Sequence, residues 1–317
     1  MKRIAAIVVT YNRKDKLRNC IEAILAQTAQ IKPDIFIVDN GSSDGTEEWV
    51  HSLSKKNTEL RDRLIYSNLL HNSGGAGGFN YGIRKAVEAG YGYLWLMDDD
   101  CIPLDSALKE FVDFDSRHGG GYGFLSSKVL WKDGSLSRIS VQRETMFRNV
   151  SDWDNGITDV SMASFASMFL PAGVVLDVGL PIREFFIWTD DWEYSRRISM
   201  KYPCYLISDS VVVHDMDTDI NAKADIAVAE ADRLGRFRYL YRNDVYLYRR
   251  EGLKGICYEA VRLSYHLARI TVSRNSISEK CKRLGILIRG TRAGIGFYPQ
   301  QERVMPVSDK ENKKRSD

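Results

Sequence analysis

The chain alternates unbroken apolar runs with amphipathic stretches. Ile4–Thr10 is a continuous apolar run, Arg13–Ala26 places Leu17, Ile21, Ile24 and Leu25 at helical spacing, and Ile35–Val38 is a second short run. The turn-rich Asp39-Asn40-Gly41-Ser42-Ser43-Asp44-Gly45 cuts that run off. The pattern then predicts a helix near Thr46–Ser54, a strand near Leu64–Ser67, a glycine loop, a helix near Phe79–Glu88 and a strand at Tyr93–Met97. Strands and helices alternating at this spacing imply βαβ units around a mostly parallel, Rossmann-like sheet. After a helix near Ser106–Arg117, the segments Phe124–Trp131, Ser161–Leu170 and Tyr205–Val213 read as strands, with a helix from Asp190 to Met200. From Ala227 the chain reads as helical, over 227–250, 254–272 and 278–291. The expected organisation is an α/β domain over 1–225, a basic helical region over 226–305 packed on it, and a polar, disordered tail over 306–317.

Composition narrows the class without deciding it. Hydrophobic residues at 44% and charged residues at 27% suit a soluble globular protein. The five cysteines, Cys20, Cys101, Cys204, Cys257 and Cys281, are odd in number and lack CxxC spacing. That argues against a disulfide framework or structural zinc and favours a reducing cytoplasm. The apolar run after Met1-Lys2-Arg3 is too short for a signal peptide and reads as a first strand. No stretch approaches the roughly 20 apolar residues of a membrane span.

The net charge of +3 conceals a split. Residues 1–232 carry 25 Lys+Arg against 34 Asp+Glu, whereas residues 233–317 carry 20 against 8. The basic end calls for an anionic partner, nucleic acid or a lipid surface.

The acidic part holds the candidate chemistry. Asp98-Asp99-Asp100 follows the apolar strand, where a parallel sheet places its ligand crevice. Asp98 and Asp100 could share one hard divalent ion, which could hold a diphosphate; a solvated turn is the plain alternative. Asn72-Ser73-Gly74-Gly75-Ala76-Gly77-Gly78-Phe79-Asn80 lets backbone approach a phosphate at a helix start, or else serves tight helix–sheet packing. Asp39 ends the second strand as Asp98 ends the fourth; it could accept from a base or ribose, or open an Asx turn. In Trp188-Thr189-Asp190-Asp191-Trp192-Glu193-Tyr194, Asp190 and Glu193 could form a capping box. Asp191 is left between two tryptophans, where partial desolvation would make it a general base. His214 closes a strand beside Asp215 and could be structural or a nitrogen ligand to the same metal, with Asp215 behind it.

In this order, these motifs resemble a family 2 inverting glycosyltransferase of the GT-A fold. The matching residues are Val8–Arg13, Val38–Thr46, the glycine segment, Asp98-Asp99-Asp100 and the Asp-Asp-x-Glu-Tyr segment ending at Tyr194, within about residues 3–215. Within the family the chain is most similar to the bacterial galactofuranosyltransferases, with dTDP-rhamnose-dependent rhamnosyltransferases as the rival. It departs from their pattern where Thr189 separates Trp188 from the Asp pair. The resemblance implies a UDP-galactofuranose donor contacted by Thr10, Arg13, Asp39, Gly74, Gly75, Asp98 and Asp99. Mn2+ or Mg2+ would be held by Asp98, Asp100 and His214. Asp191 would be the base, with Trp188, Asp190, Trp192 and Glu193 around the acceptor and donor sugar. A glycan acceptor, lipid-linked, would place the enzyme at the inner face of the cell membrane.

The basic aromatic stretch offers a way to reach that membrane. Tyr239, Tyr241, Tyr246 and Tyr248 with Arg238, Arg242, Arg249 and Arg250 could meet bilayer phosphates, or form a solvated helical layer. A nucleic-acid-binding module would leave both acidic clusters idle. A sugar nucleotidylyltransferase would carry a glycine-rich basic loop where this chain has Thr10-Tyr11-Asn12-Arg13.

Overall fold

A computed structural model of the chain describes residues 3–56, 58–216 and 225–304. It divides into two compact units, one comprising Met1–Arg183, Asp191–Met216 and Gln301–Asp317, the other Glu184–Asp190 and Asp217–Gln300. The boundary departs from the expected cut at 225, since the stretch before Asp191 belongs with the C-terminal helices.

The first unit begins β1 (Ile4–Thr10), α1 (Lys14–Leu25), β2 (Asp34–Asp39), α2 (Thr46–Lys56), α3 (Thr58–Arg61), β3 (Leu64–Asn68), α4 (Gly74–Glu88) and β4 (Tyr93–Asp98). It continues β5 (Cys101–Pro103), α5 (Ala107–His118), β6 (Leu125–Trp131), β7 (Arg143–Thr145), β8 (Arg148–Asn149), β9 (Ile157–Asp159) and β10 (Met168–Pro171). Two helices, α6 (Ala172–Val178) and α7 (Asp190–Ser199), and the strand β11 (Tyr205–His214) follow. Among the described residues the main sheet runs β3-β2-β1-β4-β10-β6-β11-β5, with β9 beside β11. β3, β2, β1 and β4 pair in parallel, and β10 enters antiparallel between β4 and β6.

β1 shows why this segment is apolar without a break. Ala5, Ile7 and Val9 enter one core with Phe79 and Ile83 of α4, while Ile4, Ala6 and Val8 enter the other with Leu17 and Ile21 of α1. A strand covered on both faces has no position for a polar residue until it ends.

Three expectations are revised. The glycine segment is the first two turns of α4, because Gly78 and Gly82 bring the helix against β1. A Cβ on either would stand 2.5 Å from Val9 or 2.6 Å from Ile7. The strand expected over Ser161–Leu170 is confined to β10, and Ser161 instead bonds back to Arg143 and Glu144. In the second unit, the helix expected from Ala227 starts only at Phe237.

That unit contains α8 (Phe237–Arg249), α9 (Gly252–Val272) and α10 (Ile277–Ile295) around a core of Leu234, Phe237, Tyr241, Ile270 and Leu287. Part of the aromatic–basic stripe of α8 serves this unit internally, while Arg238 and Arg250 are exposed. Tyr241, Tyr246 and Tyr248 are buried, and Arg249 donates to the carbonyls of Gly294 at 3.0 Å and Ile295 at 3.1 Å, closing the C-terminus of α10. Arg242 reaches the carbonyls of Glu184 and Phe185. Residues 306–317, expected to be a disordered tail, lie outside the described residues.

Candidate active site

The ends of β1, β2 and β4 meet at one sheet edge, with Thr10 paired to Asp39 and Val9 to Asp98. After Asp98 the chain turns and re-enters the sheet as β5, which breaks strand alternation and sends the three carboxylates apart. Asp99 is buried and held by its neighbours: Thr10 Oγ1 donates to Oδ2 at 2.7 Å, and an Arg13 guanidinium nitrogen to Oδ1 at 3.2 Å. The same Arg13 nitrogen donates to Asp100 Oδ2 at 2.8 Å. Thr10, Arg13 and Asp99 therefore set the shape of the acidic turn, with half of the Arg13 side chain still exposed.

The opposite oxygen of Asp100 lies 3.1 Å from His214 Nε2, and Ser140 Oγ lies 3.1 Å from His214 Nδ1. Asp100, Cys101 and His214 present donor atoms all within 4.8 Å of one another. Asp98 is not in that trio, which separates it from the expected ligand set of Asp98, Asp100 and His214. Burial and the surrounding acids push the Cys101 thiol well up, so it is protonated and Asp100 and His214 remain as the hard donors. The sequence reading missed both Ser140 and Cys101; only the antiparallel pairing of His214 with Cys101 brings β5 and β11 together. Asp215, expected behind the histidine, is instead paired with Lys16 at 2.8 Å and with Lys132.

α7 supplies the second cluster. Asp191 is half-buried, and its Oδ1 accepts from the Trp192 backbone N–H at 2.7 Å. The Arg143 guanidinium lies 3.8 Å above the Trp192 ring. Glu193 is a correction: it is 2% exposed and both its oxygens accept from Arg197, at 3.0 and 2.8 Å. Arg197 in turn donates to the carbonyls of Val178 and Leu180. Glu193 therefore forms a helix i,i+4 ion pair whose Arg197 anchors α7 to the end of α6 and the segment after it. The Arg four residues on was the available sequence signal.

The stretch before α7 is bent hard. Phe186, Trp188 and Thr189 have φ of 65°, 65° and 67°, a left-handed region that side chains rarely enter. Within that unit, the Asn243 amide donates to the carbonyls of Phe185 at 3.0 Å, Ile187 at 3.2 Å and Trp188 at 2.9 Å, and Thr189 Oγ1 donates to Asp244 at 2.7 Å. Trp188 packs edge-on against Phe237, and Asp190 is buried at the first position of α7. Asn243 and Asp244 were not foreseen, since nothing local marks them.

Asp39 is fully buried, with Ser42 N–H on one oxygen at 2.8 Å and Tyr66 Oη–H on the other at 2.7 Å. It closes its own turn, and a ligand reaches it only if Tyr66 gives way. Gly74 takes φ +75°, its carbonyl receiving Asn40 at 3.2 Å, while a Cβ on Gly75 would meet nothing within 4 Å, which leaves that backbone open to a ligand. Beside α4 lies a cavity of about 810 Å³ lined by Ser73, Asn80, Tyr81, Arg84 and Arg183, among others, and by none of the carboxylates above.

Charge ties the two clusters together. Burial first, then the charges of Asp100, Asp99 and Asp191, push the Asp98 carboxyl up to about 7 against the pull of His214. Burial raises Asp191 to about 7 as well, opposed by backbone N–H groups. Asp99 rises to about 6 by burial and Asp100, despite Arg13 and Thr10. Several carboxyl groups raised by burial and by one another's charge, with the His214 ring nitrogen 3.1 Å from Asp100, form a donor set fitted to a hard divalent cation.

The profile of Glycosyl transferase family 2 matches residues 5–163. Galactofuranosyltransferase GlfT1 of Mycobacterium tuberculosis is 35% identical over 264 residues, which is 79% of this chain and 84% of that protein. The chain belongs to glycosyl transferase family 2. This family 2 glycosyltransferase also shares its fold with solved structures. TarS of S. aureus in complex with UDP-GlcNAc matches with a TM-score of 0.52 at 13% identity, covering 91% of this chain and 72% of that one. GalNAc-T7 with UDP, GalNAc and Mn2+ matches with a TM-score of 0.57 at 12% identity, covering 80% and 53%. The α/β fold of this glycosyltransferase is GT-A.

Proposed function

We propose that the protein transfers galactofuranose from UDP-galactofuranose, with inversion, to a hydroxyl of a lipid-linked glycan acceptor, using Mn2+ or Mg2+. The observation that carries the reading is the acidic Asp98–Asp100 turn at the end of β4, with His214 Nε2 3.1 Å from Asp100. Asp191, at the start of α7, lies in the same unit, and its charge adds to the rise of the Asp98 carboxyl. One carboxylate cluster serves the departing diphosphate and the other the incoming hydroxyl, as attack on the far face of the sugar requires.

Asp191 takes the acceptor proton. Its raised basicity comes from burial, and the Trp192 N–H holds one oxygen while the other stays available. Asp100 and His214 would hold the metal, with Asp98 as a further ligand; bound there, the ion would supply positive charge to offset the negative charge developing on the leaving UDP. Thr10, Arg13 and Asp99 keep the acidic turn in shape. Gly75 offers open backbone to the donor, and a nucleotide base contacts Asp39 by displacing Tyr66. Trp192 supplies apolar surface for a sugar beside Asp191.

Galactofuranose is favoured over rhamnose by the 35% identity to a galactofuranosyltransferase. Work at the inner face of the membrane follows from the lipid-linked acceptor and the basic second unit. The deciding experiment offers UDP-galactofuranose and dTDP-rhamnose with Mn2+ and a synthetic lipid-linked acceptor. β-Galactofuranosyl product is expected; turnover with dTDP-rhamnose instead would reassign the donor.

A further inference from the structure

α9 wears its polarity inside out. On the side packed within its own unit lie Glu259, Arg262 and His266, with Glu259 5% and His266 8% exposed. Arg262 reaches Asp244 and stands 3.2 Å from Glu259, and His266 Nδ1 has no hydrogen-bond partner among the described residues. The outward side presents Leu253 (76% exposed), Val261 (69%), Tyr265 (59%) and Val272 (77%), with Ile256 and Leu267 beside them. Lys254 is the one charged residue among the exposed positions of α9. A helix facing water turns its charges outward. An apolar face running about 30 Å along a helix marks a protein or membrane contact.

The exposed charge of this helical segment selects the occupant. Lys254, Arg274, Lys282, Arg289 and Arg292 are exposed across 252–295, against Glu279 as the one exposed acid. We infer that α9 docks on an anionic phospholipid bilayer, lying in its plane with the apolar face at the acyl boundary and with Lys254 in its first turn and Arg274 just past its last turn among headgroup phosphates. No helix among the described residues is long and apolar enough to cross a membrane, which suits a helix that lies in the surface. A second copy of the chain would set the same cations against one another with only Glu279 to meet them. The inference names the surface for the membrane contact proposed above and rests on that reading.

Flotation of the full chain on phosphatidylglycerol–phosphatidylcholine vesicles, at low and high salt, tests it. Neutral substitutions Val261→Asn with Tyr265→Asn remove apolar area without altering charge. They should cut the floated fraction by about tenfold at both salt concentrations, with UDP affinity unchanged as the control for folding. Leu253→Asn, at the other end of the face, is the second variant. A wild-type chain that stays unbound overturns the membrane reading itself. Wild-type flotation matched by both variants overturns only the assignment to α9. A wild-type dimer in light scattering that the double variant splits would give the face to a second copy.

Discussion

His214 Nε2 faces Asp100 Oδ1 at 3.1 Å, joining the end of β11 to the acidic turn after β4. Each is buried, and each is fixed from behind, His214 by Ser140 and Asp100 by Arg13. Removal of either His214 or Asp100 as alanine should therefore weaken Mn2+-dependent UDP binding by about tenfold to a hundredfold. Titration calorimetry of UDP with and without Mn2+ reads this directly. Unchanged metal dependence in both variants would take the ion elsewhere.

Asp191→Asn keeps the shape of the site and loses the proton acceptor. UDP affinity should persist while turnover falls by a factor on the order of 10²–10⁴. Glu193→Gln should act on stability, because it leaves the buried Arg197 charge half-satisfied, at about 3 kcal/mol. Urea melts paired with kinetics separate the two, and the reverse pattern would exchange their roles.

The pH profile carries the same assignment. A base raised to about 7 is protonated below that pH, so kcat/KM should fall as pH drops from 8 toward 6. An ordinary carboxylate would hold the rate nearly flat down to about 4. A flat profile over this range would exclude Asp191 as the titrating group.

Asp98 gives a stability test of opposite sign. Its carboxyl sits near 7 folded against 3.8 unfolded, so folding favours the neutral form. Stability is thus highest below pH 4 on this account and declines as pH rises to 7. At pH 8 without metal, Asp98→Asn should melt higher, by on the order of 2 kcal/mol. With Mn2+ and UDP the wild type should gain more than the variant. A metal-free variant that melts lower would mean that the charge is already compensated.

The parallel half of the sheet was legible because Ile4–Thr10, Ile35–Val38 and Tyr93–Met97 are buried on both faces and admit no polar interruption. The acidic residues were legible as a set, since strand ends are where a parallel sheet exposes its chemistry. Their pairings were not. Glu193 goes to Arg197, Asp99 to Thr10 and Asp39 to Tyr66 through side-chain geometry that spacing does not encode. Gly78 reads as a loop residue until the packing of α4 on Val9 is known. α8 misled differently: Tyr241, Tyr246 and Tyr248 are core residues, and Arg249 and Arg242 reach backbone carbonyls at the end of α10 and at Glu184 and Phe185.

Phe186, Trp188 and Thr189 carry backbone strain of roughly 1–3 kcal/mol each, held down chiefly by Asn243 and Asp244. A segment under such tension opens before the sheet does. Catalytic competence and foldedness should then part company on warming, the enzyme falling silent at a temperature where its circular dichroism is still that of the intact protein.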